Sequence, residues 1–218
     1  MNPDEATASR TPATPGGMSS LTLTVRPFLV PRFFRILQRG FTLRTLLGRS
    51  VAEVLCSELG LTEEFLDAKV QTLFLNGKAI DDPHTAMVPD GAVIALSSAM
   101  PGLVGATLRR GSTYAAMRSQ ITYDQAESAP SQAEGTITLK LYNLLLDELG
   151  KTVLENGITI GRDLLADFLK DREEDFRTGC LSAALDGAPV EPARIAQTLS
   201  GHGARVYQMV RLTVISCE

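Results

Sequence analysis

Val70-Gln-Thr-Leu-Phe-Leu-Asn76-Gly77 and Cys180-Leu-Ser-Ala-Ala-Leu-Asp186-Gly187 carry the same message twice. Each is an apolar run that enters an Asn-Gly or Asp-Gly pair, the residues that best tolerate the positive φ of a two-residue hairpin turn. Two strands joined by a tight turn are therefore expected at both places. Downstream each has a polar loop, Asp81-Asp-Pro-His-Thr85 in one and Glu191-Pro-Ala-Arg194 in the other. Asp90-Gly91 or Gly201-His-Gly203 then precedes a last strand, Ala92 to Ser97 or Arg205 to Ile215.

Upstream the parallel continues. Leu21-Thr-Leu-Thr-Val25 and Thr136-Ile-Thr-Leu-Lys-Leu-Tyr142 alternate apolar and polar residues, the period of a half-buried strand. Each is followed by a Gly-containing turn region and a second extended stretch, Phe41 to Leu47 and Lys151 to Thr159. A short amphipathic helix comes next. Ser50-Val-Ala-Glu53 has the spacing of a capping box, Val51, Val54, Leu55 and Leu59 form a stripe, and Gly60 ends it. The second copy places Leu164, Leu165, Phe168 and Leu169 on the stripe, before the charged run Lys170 to Asp175. The order is strand, strand, helix, strand, turn, strand, twice over.

The rest of the chain frames these copies. Residues 1–20 are rich in Pro, Ser, Thr, Ala and Gly and bury too little to offset ordering entropy, so a disordered tail is expected. The stretch around Asp124-Gln-Ala-Glu-Ser-Ala-Pro-Ser-Gln-Ala-Glu134 reads as linker. The expected division is a first domain over 21–105, a basic extension and linker over 106–134, and a second domain over 135–218.

That element order resembles the β-grasp, an α+β fold in which a mixed sheet of four or five strands wraps one helix. Leu73-Phe-Leu-Asn-Gly-Lys-Ala-Ile-Asp81 with Val88-Pro-Asp-Gly-Ala-Val-Ile-Ala-Leu96 is similar to the closing half of the ubiquitin-like sulfur carriers of molybdopterin and thiamin synthesis. Leu139-Lys-Leu-Tyr142 and Leu145-Leu-Asp-Glu-Leu-Gly150 continue the likeness in the second copy. The resemblance implies two tandem β-grasp domains. It departs at the terminus: carriers act through a free Gly-Gly, and the pair here is Gly16-Gly17. Carrier chemistry would require cleavage after Gly105, leaving Val104 as the penultimate residue.

Composition narrows the function. The chain has 218 residues, 44% hydrophobic and 21% charged, with a formal net charge of −4, which disfavours a general polyanion binder. No apolar run is long enough for a bilayer span and no leader is visible, so a soluble, cytoplasmic protein without membrane contact is expected. Cys56, Cys180 and Cys217 are too scattered for a disulfide framework or a ferredoxin cluster. Cys56 and Cys180 read as buried, and Cys217 as the reachable thiol. His84 and His202 read as polar turn residues at equivalent places in the copies. With no nucleophile, base or metal constellation, neither enzyme activity nor a cofactor is expected.

Two basic stretches break the acidic average. Leu21 to Ala52 has Arg26, Arg32, Arg35, Arg39, Arg44 and Arg49 and no acid, and Phe33 and Phe34 look exposed among them. Arg32, Arg35 and Arg39 are the candidate anion-binding residues. Arg109, Arg110 and Arg118 follow the tail Met100-Pro-Gly-Leu-Val-Gly105, expected to be extended. Met100, Pro101, Gly102, Leu103, Val104, Gly105, Arg109, Arg110 and Arg118 thus form the expected partner-binding strip, an apolar segment beside positive charge. The function expected is a non-catalytic protein-binding or accessory module whose partner offers an acidic surface. Nucleic acid is disfavoured for want of clustered aromatics. The acids Asp163 to Asp175 favour self-association or docking between the domains.

Overall fold

The computed structural model describes residues 18–114, 117–118, 133–201 and 208–217. The first repeat runs β1 (Ser19–Val25), α1 (Val30–Arg39), β2 (Phe41–Leu46), α2 (Val51–Leu59), α3 (Glu63–Lys69), β3 (Thr72–Leu75), β4 (Lys78–Ala79) and β5 (Val93–Ser97). After a linking helix α4 (Gly102–Leu108), the second runs β6 (Glu134–Tyr142), α5 (Leu144–Asn156), β7 (Ile158–Gly161), α6 (Arg162–Lys170), α7 (Glu173–Gly179), β8 (Cys180–Leu185), β9 (Ala188–Val190), α8 (Ile195–Ser200) and β10 (Met209–Ser216). The chain is α+β. Its two copies follow one plan, apart from α8. Strand β1 begins inside the segment expected to be a tail, with Ser19 buried.

Two corrections apply to both copies. Each has three or more helices rather than one, with α3 and α7 following α2 and α6. A helix, α1 or α5, stands where a turn region was expected between the first two strands. Lys151 to Asn156 is the end of α5, and only Ile158 onward is strand. In α1, Val30, Phe33, Ile36 and Leu37 are buried at helical spacing, so Phe33 is core rather than exposed, while Arg32, Arg35 and Arg39 face out. In α5, Leu145, Leu146, Val153 and Leu154 are buried. Gly150 does not break that helix. A Cβ there would lie 2.5 Å from Phe34 Cε1, so glycine allows α1 and α5 to approach.

Other local expectations match. Ser50 Oγ accepts from Glu53 N while Ser50 N donates to the Glu53 carboxylate, the reciprocal capping box. Those bonds to Ser50, backbone first, hold the Glu53 carboxyl below its ordinary value. Asn76-Gly77 and Asp186-Gly187 both have positive φ at both residues. Asn76 and Asp186 also do the same second job. Asn76 Oδ1 accepts from Val93 N at 2.8 Å and Asn76 N donates to Val93 O at 2.8 Å. Asp186 Oδ1 accepts from Ser20 N at 2.7 Å and Asp186 N donates to Ser20 O at 2.8 Å.

Val93 belongs to the same repeat as Asn76, but Ser20 belongs to the other repeat from Asp186. The sheet shows why. Its ten strands run β4-β3-β5-β6-β2-β7-β10-β1-β8-β9. Each half has antiparallel flanks around a parallel pair, β5–β6 in one and β10–β1 in the other. Each half also takes one strand of that pair from the other repeat. The halves meet where β2 touches β7, at Thr42 opposite Thr159.

The core follows the strand alternation. Leu21, Leu23 and Val25 of β1, Ile137, Leu139 and Leu141 of β6, and Val210, Leu212 and Val214 of β10 are buried against the helices. Thr22, Thr24, Thr138 and Thr213 lie between them on the opposite face, half-buried. Phe33 of the first repeat meets Phe168 and Phe176 of the second, with ring centroids 5.3 and 5.5 Å away. That tilted and edge-on trio ties the repeats together through side chains as the exchanged strands do through backbone. The sheet edges are short: β4 has two residues, and β9 has three with Pro189 in the middle. Short, proline-bearing edges resist pairing with further chains.

Candidate functional site

The expected strip leaves the sheet at Ser97, and part of it is helical rather than extended, because α4 begins at Gly102. Gly105 makes this possible. A Cβ on Gly105 would sit 1.9 Å from the Met100 carbonyl oxygen, so no other residue fits beneath that turn. Gly105 is buried inside α4, and cleavage after it would require this helix to open. Leu103 and Val104 point outward, 65% and 67% exposed, and Met100 is half-buried.

The arginines divide. Arg109 is exposed, and no hydrogen bond or ion pair from its side chain is found among the described residues. Arg110 and Arg118 turn inward. The Arg110 guanidinium donates to the Leu66 and Val70 carbonyls at 3.0 Å each, to Asp81 O at 3.2 Å, and to Asp67 Oδ1 at 3.3 Å. Arg118 is 4% exposed and donates to Thr107 O at 2.8 Å, to Ala79 O, and to the Asp81 carboxylate. Asp81 Oδ1 also accepts from Gly111 N at 2.9 Å. These bonds hold the chain after α4 against the β3–β4 hairpin and the end of α3. Sequence spacing gave no sign of this division, because a buried arginine and an exposed one look alike until their carbonyl partners are placed.

What faces solvent is apolar. Tyr114 and Met117, with Leu103 and Val104, are large hydrophobic side chains at least half exposed within one short segment. Beside Met100 a groove of about 250 Å³ opens on the sheet, lined by Phe74, Ala95, Ser97, Tyr142 and Asn143. Its floor is set by register: Phe74 lies opposite Ala95, and Ser97 opposite Tyr142. Ser97 Oγ accepts from Asn143 Nδ2 at 2.6 Å, and Ser98 Oγ accepts from Leu144 N at 3.2 Å. These two serines fix the β6–α5 junction, where Asn143 takes positive φ. The groove was not foreseen, since Tyr142 reaches it only through the pairing of β6 with β5.

The second candidate set lies elsewhere. Arg32 pairs with Asp175 at 3.3 Å, joining the basic face of α1 to the acidic run of the second repeat. Arg35 and Arg39 line a small depression with Arg172.

The remaining chemistry is sparse. Cys56 is half-buried on α2, its thiol pushed up by desolvation and then by Glu63. Cys180 is buried at the start of β8, and burial pushes its thiol up to about 11. Cys217 is exposed after β10. His84 sits in a turn where Asp82 Oδ1 accepts its backbone N–H at 2.9 Å. His202 lies outside the described residues. Among the described residues no cluster of three His, Cys, Asp or Glu could hold a metal, and no helix is long and apolar enough to cross a membrane. Comparison with protein-family models, curated proteins and solved structures found no match in any of the three.

Proposed function

We propose that the protein is a non-catalytic protein-binding or accessory module built from two sulfur-carrier-like β-grasp units. The five-strand mixed half-sheets, each with helices on one face, support the β-grasp reading. The observation that carries the binding reading is the exposed apolar surface of Leu103, Val104, Tyr114 and Met117, next to the Met100–Tyr142 groove. Scattered exposed hydrophobics are ordinary, and four large ones within residues 103–117 support a contact surface. The exposed Arg109 adds a positive charge for an acidic partner. Arg110 and Arg118 act indirectly, by holding the segment that presents these side chains.

The test is affinity isolation of the full chain from its own cells, beside a Leu103→Asp/Val104→Asp variant and an Arg109→Glu variant. A partner bound by the wild type should be lost from the first variant and weakened in the second, with melting temperatures unchanged. A partner set identical for all three proteins overturns the proposal.

A further inference from the structure

Helix α1 carries three outward arginines and no carboxylate. The structure separates them by their surroundings. Arg32 is paired with Asp175. Arg35 and Arg39 are exposed, four residues apart on one face, and no hydrogen bond or ion pair to either is found among the described residues. Like charges at that spacing repel and cost the helix stability. Across from them stands a third guanidinium, Arg172, from the turn between α6 and α7. It lies over the Phe168 ring at 4.4 Å from the centroid and donates to the Phe168 carbonyl at 3.4 Å. Stacking fixes its plane while leaving other N–H groups to donate elsewhere.

These three side chains surround a depression floored by Ile36, Leu164 and Phe168. One carboxylate, Asp171, lies at its rim, and no ion pair joins it to the three among the described residues. The enclosed space is small, about 30 Å³, so it admits the oxygens of an anion rather than a whole cofactor. Three guanidiniums from two separate elements suit a tetrahedral group whose oxygens point in several directions, better than a planar carboxylate. We propose that Arg35, Arg39 and Arg172 form a binding site for a phosphate group, free or carried as a small phosphomonoester. The apolar floor would lie beneath the organic part of such an ester. This site is independent of the α4 surface.

The test uses the full chain and follows arginine Nε–H resonances while inorganic phosphate, and separately phenyl phosphate, replaces chloride at constant ionic strength. Saturable shifts confined to Arg35, Arg39 and Arg172 are expected. Arg35→Gln/Arg39→Gln should weaken binding about tenfold or more, as loss of charge-assisted bonds implies. Arg172→Lys keeps the charge but loses the planar fork, and should also weaken binding; it serves alone if the double variant fails to fold. Equal affinity for both probes identifies free phosphate as sufficient, and tighter phenyl phosphate binding identifies an ester. Shifts that are no larger than in chloride, or that persist unchanged in the variants, overturn the proposal.

Discussion

Asn76 and Asp186 make the same turn, take nearly the same φ, and each clamp the first residues of a neighbouring strand by two hydrogen bonds. The clamped strand differs: it is the last strand of the same repeat for Asn76, and the first strand of the other repeat for Asp186. Turn chemistry decides that a strand must lie alongside. Which strand comes is settled by distant parts of the chain. The two half-sheets share their geometry, a parallel pair between antiparallel flanks, while filling it with strands in a different order. β6 is beside β2 in one half, but in the other it is β10, not β1, that lies beside β7.

The largest effect follows from that exchange. A chain cut between residues 125 and 126 separates β6 from the first half and β1 from the second. Each fragment then lacks a strand of its central parallel pair and part of the Phe33–Phe168–Phe176 cluster. Neither fragment should show a cooperative thermal transition by circular dichroism, and mixing them at equal concentration should restore one. A cooperative transition in either fragment alone means that the exchange is dispensable for folding. The same logic applies to single residues. Leu23 in β1 and Leu139 in β6 are fully buried, each in the half belonging to the other repeat. Leu23→Ala and Leu139→Ala should each cost about 2–5 kcal/mol in denaturant unfolding. If one costs under about 1 kcal/mol, the corresponding exchanged strand is not held as described.

The two kinds of arginine give the next comparison. Arg118 is buried among carbonyls and a carboxylate, and Arg109 is exposed. Arg118→Met would leave these acceptors without their donor, at about 2–4 kcal/mol, whereas Arg109→Gln should change stability by about 0.5 kcal/mol or less. Equal effects in thermal unfolding would mean that the segment after α4 is not anchored through Arg118.

What could be read from the sequence was local. The Asn-Gly and Asp-Gly turns, the Ser50–Glu53 box and the alternation in β1 and β6 each depend on residues within a few positions of one another. Helix α1 keeps a regular apolar stripe at Val30, Phe33, Ile36 and Leu37, but Pro31 at its start resembles a loop residue and the arginines of its outer face resemble a basic loop. Helix α5 was hidden by Gly150, which reads as a turn unless Phe34 is known to lie against it. Within Met100–Gly105 only Leu103 and Val104 are exposed large apolar side chains, since Met100 is half-buried and Gly105 is buried, and the helicity depends on Gly105 passing under Met100. The groove beside it depends on β5–β6 pairing, a contact between repeats that no local pattern encodes.

Two glycines give the smallest expected effects and the finest comparison. Gly60 ends α2 in the left-handed region at φ 67°, with open space where a Cβ would go. Gly60→Ala should cost about 1 kcal/mol, from backbone strain alone. Gly150 is the opposite case, lying inside a helix with no positive φ, where alanine is intrinsically preferred by up to about 1 kcal/mol. Its added methyl, however, meets the Phe34 ring, which is half-buried and must shift, at about 1–3 kcal/mol. Gly150→Ala should therefore be destabilising despite the helix preference, and adding Phe34→Leu should make the alanine less costly. If Gly150→Ala is stabilising while Phe34 is present, the close approach of α1 and α5 is relaxed in solution, and the α1–α5 contact is a looser one than the glycine implies.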